Sequence, residues 1–98
     1  MIERRMLTED ELKEGLKELP GWDLLDNKLH KQYKFDSFAE AMGWMATVAI
    51  YADKIDHHPE WSNVYNRVTV DLITHSYYSV STLDLELARF MERVFRTG

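Results

Sequence analysis

No charged side chain stands between Glu40 and Asp53. Ser37-Phe38-Ala39-Glu40 ahead of this stretch reads as a capping box, with a hydroxyl to accept from the first turn and an acid to reach back. The spacing predicts a helix from there to about Ile55. Phe38, Met42, Met45, Ala49 and Ala52 lie on one side of it, and Trp44, Val48 and Tyr51 largely on another. A helix on the outside of a monomer shows a polar face, and this one shows almost none. It therefore needs cover on two sides, a sheet on one and another subunit on the other. The chain has 98 residues, enough for a single domain over 1–98. A domain of that size has one core and little margin, so association would help it.

The remaining elements follow from period and caps. Thr8 and Glu11 form another capping box, and Leu12, Leu16 and Leu19 follow at helical spacing until Pro20-Gly21 stops the helix. Trp22 to Leu25 reads as a short strand and Asp26-Asn27-Lys28 as a turn. Leu29, Lys31, Tyr33 and Phe35 then alternate with His30, Gln32 and Lys34, the two-residue period of a strand with one wetter face. Asn63 to His75 is rich in β-formers, and a hairpin turning near Asn66-Arg67 gives a sheet large enough to cover the helices. Ser76 to Ser81 is a polar and aromatic loop. Ser81-Thr82-Leu83-Asp84 opens a last helix with Leu83, Leu87, Phe90 and Val94 on one face. The order α-β-β-α-β-β-α predicts an α+β fold, a four-stranded antiparallel sheet with three helices packed on one side.

Composition removes several classes of function. A net charge of −5 with scattered Lys and Arg argues against direct contact with nucleic acid. The absence of cysteine removes disulfides, zinc-thiolate sites and thiol nucleophiles. No apolar run is long enough to span a membrane. Met1 to Met6 has no apolar core of a signal peptide. A cytoplasmic location fits these features.

The chemistry-bearing residues gather at element ends. His57 and His58 follow the second helix, and His75 ends the last strand. If the sheet brings these ends together, one pocket holds three imidazoles, with Asp53, Asp56 and Asp84 beside it and Trp61 as a wall. Imidazole titrates near neutrality, so such a pocket is equipped for general acid–base catalysis. Other readings of the same residues stand beside it. His57-His58 before Pro59 also suits a polar loop, Asp84 suits the first turn of a helix, Trp61 suits a core, and three histidines also suit zinc. Adjacent histidines diverge, however, and no H-x-x-x-H pair is present, so no metal is expected.

Asp56-His57-His58-Pro59-Glu60-Trp61, Asn63-Val64-Tyr65-Asn66, Val68 and Thr74-His75 together resemble the pterin-4a-carbinolamine dehydratase family. The likeness extends to Pro20-Gly21-Trp22, to Lys31, Tyr33 and Phe35, to Phe38-Ala39 and Ala41, and to Asp84 and Leu87-Ala88. The resemblance implies dehydration of 4a-hydroxytetrahydropterin to quinonoid dihydropterin and water, in recycling of the pterin, without metal or bound cofactor. It implies His57 and His75 as the proton-transfer pair. His58 would chiefly hold the pterin and assist the catalytic pair, Asp56 and Asp84 would orient or tune the site, and Trp61 would line it. Family members form homodimers and homotetramers, which fits the apolar second helix. The animal members, which double as the dimerisation cofactor of a homeodomain transcription factor, resemble the Asp56–Trp61 run especially. That implies an alternative role as a coactivator or as a partner of a helix-bearing protein, and with it a nuclear location. One departure stands out. Ser79 occupies the place of the family's loop glycine, a costly replacement if that position needs a positive φ.

Overall fold

In the computed structural model, which describes residues 2–97, side chains of the strand β2 (Lys28–Lys34) alternate between two environments. Leu29 and Tyr33 are fully buried, while His30, Gln32 and Lys34 lie on the opposite, wetter face. Lys31 shares the inner face, its Nζ lying 4.5 Å from the Tyr33 ring centroid and donating to Pro20 O and to the buried Glu92 carboxylate. β4 (Arg67–Leu72) repeats the pattern with Val68, Val70 and Leu72 inward. The two strands pair antiparallel at the centre of the sheet, Tyr33 opposite Val68 and Leu29 opposite Leu72. β1 (Asp23–Leu25) and β3 (Glu60–Val64) flank them, giving the order β1-β2-β4-β3.

The buried face of the sheet carries the helices. α2 (Phe38–Lys54) contributes Ala41, Trp44, Val48 and Ala52 to the core, and α3 (Thr82–Thr97) contributes Leu87, Ala88 and Met91. α1 (Glu9–Lys17) meets α3 at Gly15, where a Cβ would stand 2.7 Å from Leu85 Cδ1. A side chain at that position would require the Leu85 methyl groups to move aside. The predicted α+β architecture and element order are those observed. Among the described residues no helix is long and apolar enough to cross a membrane.

Local details differ from the sequence reading for identifiable reasons. Thr8 and Glu11 do form a reciprocal capping box. Ser37 accepts from Glu40 N–H, but the Glu40 carboxylate passes its cap and takes Asp36 N–H instead. The first hairpin turns on Asp26-Asn27 alone, both at positive φ, which matches the twist of the flanking strands. The second turns on Tyr65-Asn66, one residue before the predicted place, held by Asn63 Nδ2 donating to the carbonyls of Tyr65 and Arg67. Neither predicted grouping of α2 is its outer face. Trp44 and Val48 are core residues, and Tyr51 is half-buried against Phe90 and Glu86. The open face is instead Ala39, Gly43, Ala46 and Ile50. Nothing lies within 4 Å of where a Gly43 Cβ would be, and Ile50 is 74% exposed.

Candidate active site

The site begins with how α2 ends. Ile55 caps the helix, and Asp56 follows in the left-handed conformation, φ 52. Asp56 N–H donates to Asp53 O at 3.2 Å and His57 N–H donates to Ala52 O at 3.0 Å. These are the paired bonds of a Schellman motif, built on aspartate where glycine is usual. The reversal turns His57 back beneath the start of α3. There its Nε2 stands 2.5 Å from Asp84 Oδ1.

Asp84 is 0% exposed. A carboxylate so placed needs its acceptor positions filled. Its Oδ2 takes Ser81 N–H at 2.8 Å and the Thr74 hydroxyl at 2.7 Å. Since the Thr74 hydrogen is spent on Asp84, Ser81 must donate in its 2.6 Å contact with Thr74 Oγ1, and Ser81 Oγ in turn accepts from Leu83 N–H. Asp84 is thus the reciprocal partner of a capping residue as well as an anchor for an imidazole. With Oδ2 doubly satisfied, Oδ1 is left to accept from the His57 ring N–H, and in a neutral ring Nδ1 is then the bare nitrogen.

His75 and His58 complete the arrangement from two other segments. His75 Nε2 is 3.1 Å from Glu60 Oε2, and Glu60 Oε1 accepts from Lys28 Nζ at 2.7 Å. The Lys28 hydrogen bond holds the Glu60 carboxyl below its ordinary range. His58 Nε2 is 3.2 Å from Asp53 Oδ1, an exposed pair. All three imidazoles line one open cavity of about 320 Å³ together with Arg4, Asp56, Ile73, Thr74 and Ser76. The described residues contain no group of three His, Cys, Asp or Glu side chains fit to hold a metal ion. What the cavity offers is one shielded imidazole backed by a buried carboxylate, two exposed imidazoles each beside a carboxylate, and a guanidinium.

Residues 5–94 match the model of the pterin 4 alpha carbinolamine dehydratase family. The chain belongs to that family. Proteins of Brucella ovis and Brucella canis, each provisionally named a pterin-4-alpha-carbinolamine dehydratase, are 47% identical to it over 93 residues, covering 93% of this chain and 96% of theirs. A crystal structure of a transcriptional coactivator/pterin dehydratase from Brucella melitensis superposes with a TM-score of 0.87 at 47% identity, covering 92% of this chain and 98% of that one.

In this dehydratase-family chain four of the eight residues that line the cavity are ones the sequence singles out. His57, His58, His75 and Asp56 line it, Asp84 supports it from beneath, and Asp53 touches it only through His58. Trp61 packs against Trp44, 6.2 Å between ring centroids, and is not among the lining residues. Arg4, Glu60, Thr74 and Ser81 were not singled out. Glu60, Thr74 and Ser81 lie within the sequence motifs, whereas nothing in the sequence ties Arg4 or Lys28 to the histidines. The loop departure also reads differently. Ser79 is not among the residues at positive φ; Tyr78, one place earlier, is, at φ 53.

Proposed function

We propose that the chain dehydrates a 4a-hydroxytetrahydropterin to quinonoid dihydropterin and water, within tetrahydropterin recycling, with histidines as acid and base. The observation that carries this reading is a single cavity with three imidazoles, one of them anchored on the buried Asp84, in a chain of this family. The C4a hydroxyl leaves as water once a proton is delivered to it. The C4a–O bond breaks, N5 loses its proton, and the C4a=N5 bond forms. His57 and His75 share those two transfers from opposite protonation states. His58 chiefly contacts the pterin in the ground state, and Asp56 shapes the mouth beside it.

The test is turnover of 4a-hydroxytetrahydropterin, followed by its ultraviolet absorbance. General acid–base assistance contributes about 10²–10⁴-fold. His57→Ala and His75→Ala are expected to lower kcat substantially and incompletely, and the double variant to approach the uncatalysed rate. His58→Ala should mainly raise KM. A folded double variant with wild-type turnover refutes the assignment.

A second reading has its own support. The apolar outer face of α2 suits an oligomer contact, as homodimer or homotetramer, or a helix-bearing partner, and the Brucella melitensis relative is described as a transcriptional coactivator as well as a pterin dehydratase. The two roles are compatible, since the cavity and that face use different residues.

A further inference from the structure

We propose that Lys28 and Glu60 form a positioning pair that fixes His75 as the proton acceptor of the site. The inference rests on the reading that His75 takes part in catalysis. Its structural basis lies on the polar face of the sheet, away from the buried anchor of His57. Glu60 on β3 stands opposite Asp71 on β4, and Asp71 stands opposite His30 on β2. Asp71 is engaged by His30, Nδ1 to Oδ1 at 2.8 Å. Lys28 reaches past that pair to Glu60 at 2.7 Å. Glu60 then has one oxygen on the ammonium and the other, at 3.1 Å, on His75 Nε2.

Two consequences follow from elementary hydrogen-bond chemistry. A carboxylate kept ionised by a lysine only accepts, so the His75 nitrogen facing it must carry the hydrogen. In the neutral ring Nδ1 is then the bare nitrogen, the one able to take a proton from N5. Once His75 is protonated, the same carboxylate faces a cation and stabilises it. Exposed ion pairs contribute little to folding, and all three partners here are accessible. The effect of the pair therefore falls on the ring it holds. The His75 side chain is 71% exposed, so packing does little to fix its ring.

The experiment is steady-state kinetics on Glu60→Gln, Lys28→Met, Lys28→Arg and His75→Ala, and on Glu60→Gln combined with His75→Ala, with thermal unfolding to confirm the fold. Glu60→Gln and Lys28→Met should each lower kcat by about two- to fivefold, the scale on which such pairs act, with KM little changed. Lys28→Arg should restore turnover. Glu60→Gln should add nothing once His75 is alanine, because the carboxylate acts only through that ring. An impaired His75→Ala beside an unimpaired Glu60→Gln overturns the positioning pair and leaves the catalytic role of His75 standing. Equal losses from Glu60→Gln in both backgrounds also overturn it. Wild-type turnover in His75→Ala overturns both readings together.

Discussion

Glu92 shows how much a single side chain can organise. It is 4% exposed and accepts from Lys31 Nζ at 2.8 Å, from Trp22 Nε1 at 3.2 Å and from the Tyr33 hydroxyl. Burial pushes its carboxyl up, but Lys31, Tyr33 and Trp22 together outweigh burial and hold it below the ordinary value. Burial, reinforced by Glu92, pushes the Tyr33 phenol up, so it stays a neutral donor. A carboxyl depressed in the folded state contributes stability above its unfolded pKa, about 4.3, and loses that contribution as pH falls through the folded value. Glu92→Gln is therefore expected to cost about 1–3 kcal/mol at neutral pH. The gap to wild type should narrow in acid, read by urea unfolding at pH 7 and below pH 4. An unchanged gap would show that charge is not what the network uses. The residue scale is also where sequence reading succeeded unevenly. Adjacent histidines before a proline and an acid three places past a capping serine are visible as text. Glu60 gains its pairing from strand register, which places it across from Asp71 and carries no local signature, and Thr74 gains its role from the turn that brings its hydroxyl to Asp84.

At the scale of elements, several connections bear backbone that ordinary residues resist, the hairpin turns at Asp26-Asn27 and Tyr65 among them. Asp56 closes α2 at φ 52 and Tyr78 turns the loop before α3 at φ 53. Aspartate tolerates the left-handed region, and tyrosine does so at greater cost. Tyr78 is 79% exposed, so its side chain offers little in return. Tyr78→Gly should raise stability by about 0.5–1 kcal/mol, seen as a higher midpoint in thermal or urea unfolding. A loss instead would mean that the ring makes contacts in an assembly. The sequence pointed to Ser79 because resemblance aligns positions and not dihedral angles. It also misjudged which side of α2 is open. An element apolar all round gives periodicity nothing to discriminate, so Trp44 and Val48 looked available for an interface although the sheet had already claimed them. Where polarity does alternate, as along β2, the inward and outward residues were legible throughout.

For the whole molecule, the open face of α2 is the main unanswered surface. Ile50 sits far enough out that Ile50→Glu should leave the fold within about 0.5 kcal/mol of wild type. If α2 joins subunits, that variant should run as a smaller species by size-exclusion chromatography with light scattering. A wild type that is monomeric at micromolar concentration would remove the interface altogether. Fold class and element order were readable because caps, turns and periods agree with one another. The strand order β1-β2-β4-β3 was not, since it depends on pairings that bridge α2. The same long reach governs the cavity. His57 and Asp84 are 27 positions apart, and Arg5 N–H meets Thr82 Oγ1 across 77. Met6 bridges Ser81, and Leu7 N–H donates to Val80 O, so the early segment is stitched to the lead-in of α3. Closing loops of that length is slow and comes after local structure has formed. A ribosome must therefore release the start of α3 before His57 gains its buried anchor on Asp84, so that the shielded imidazole of the cavity is set in place only as the two ends of the domain come together.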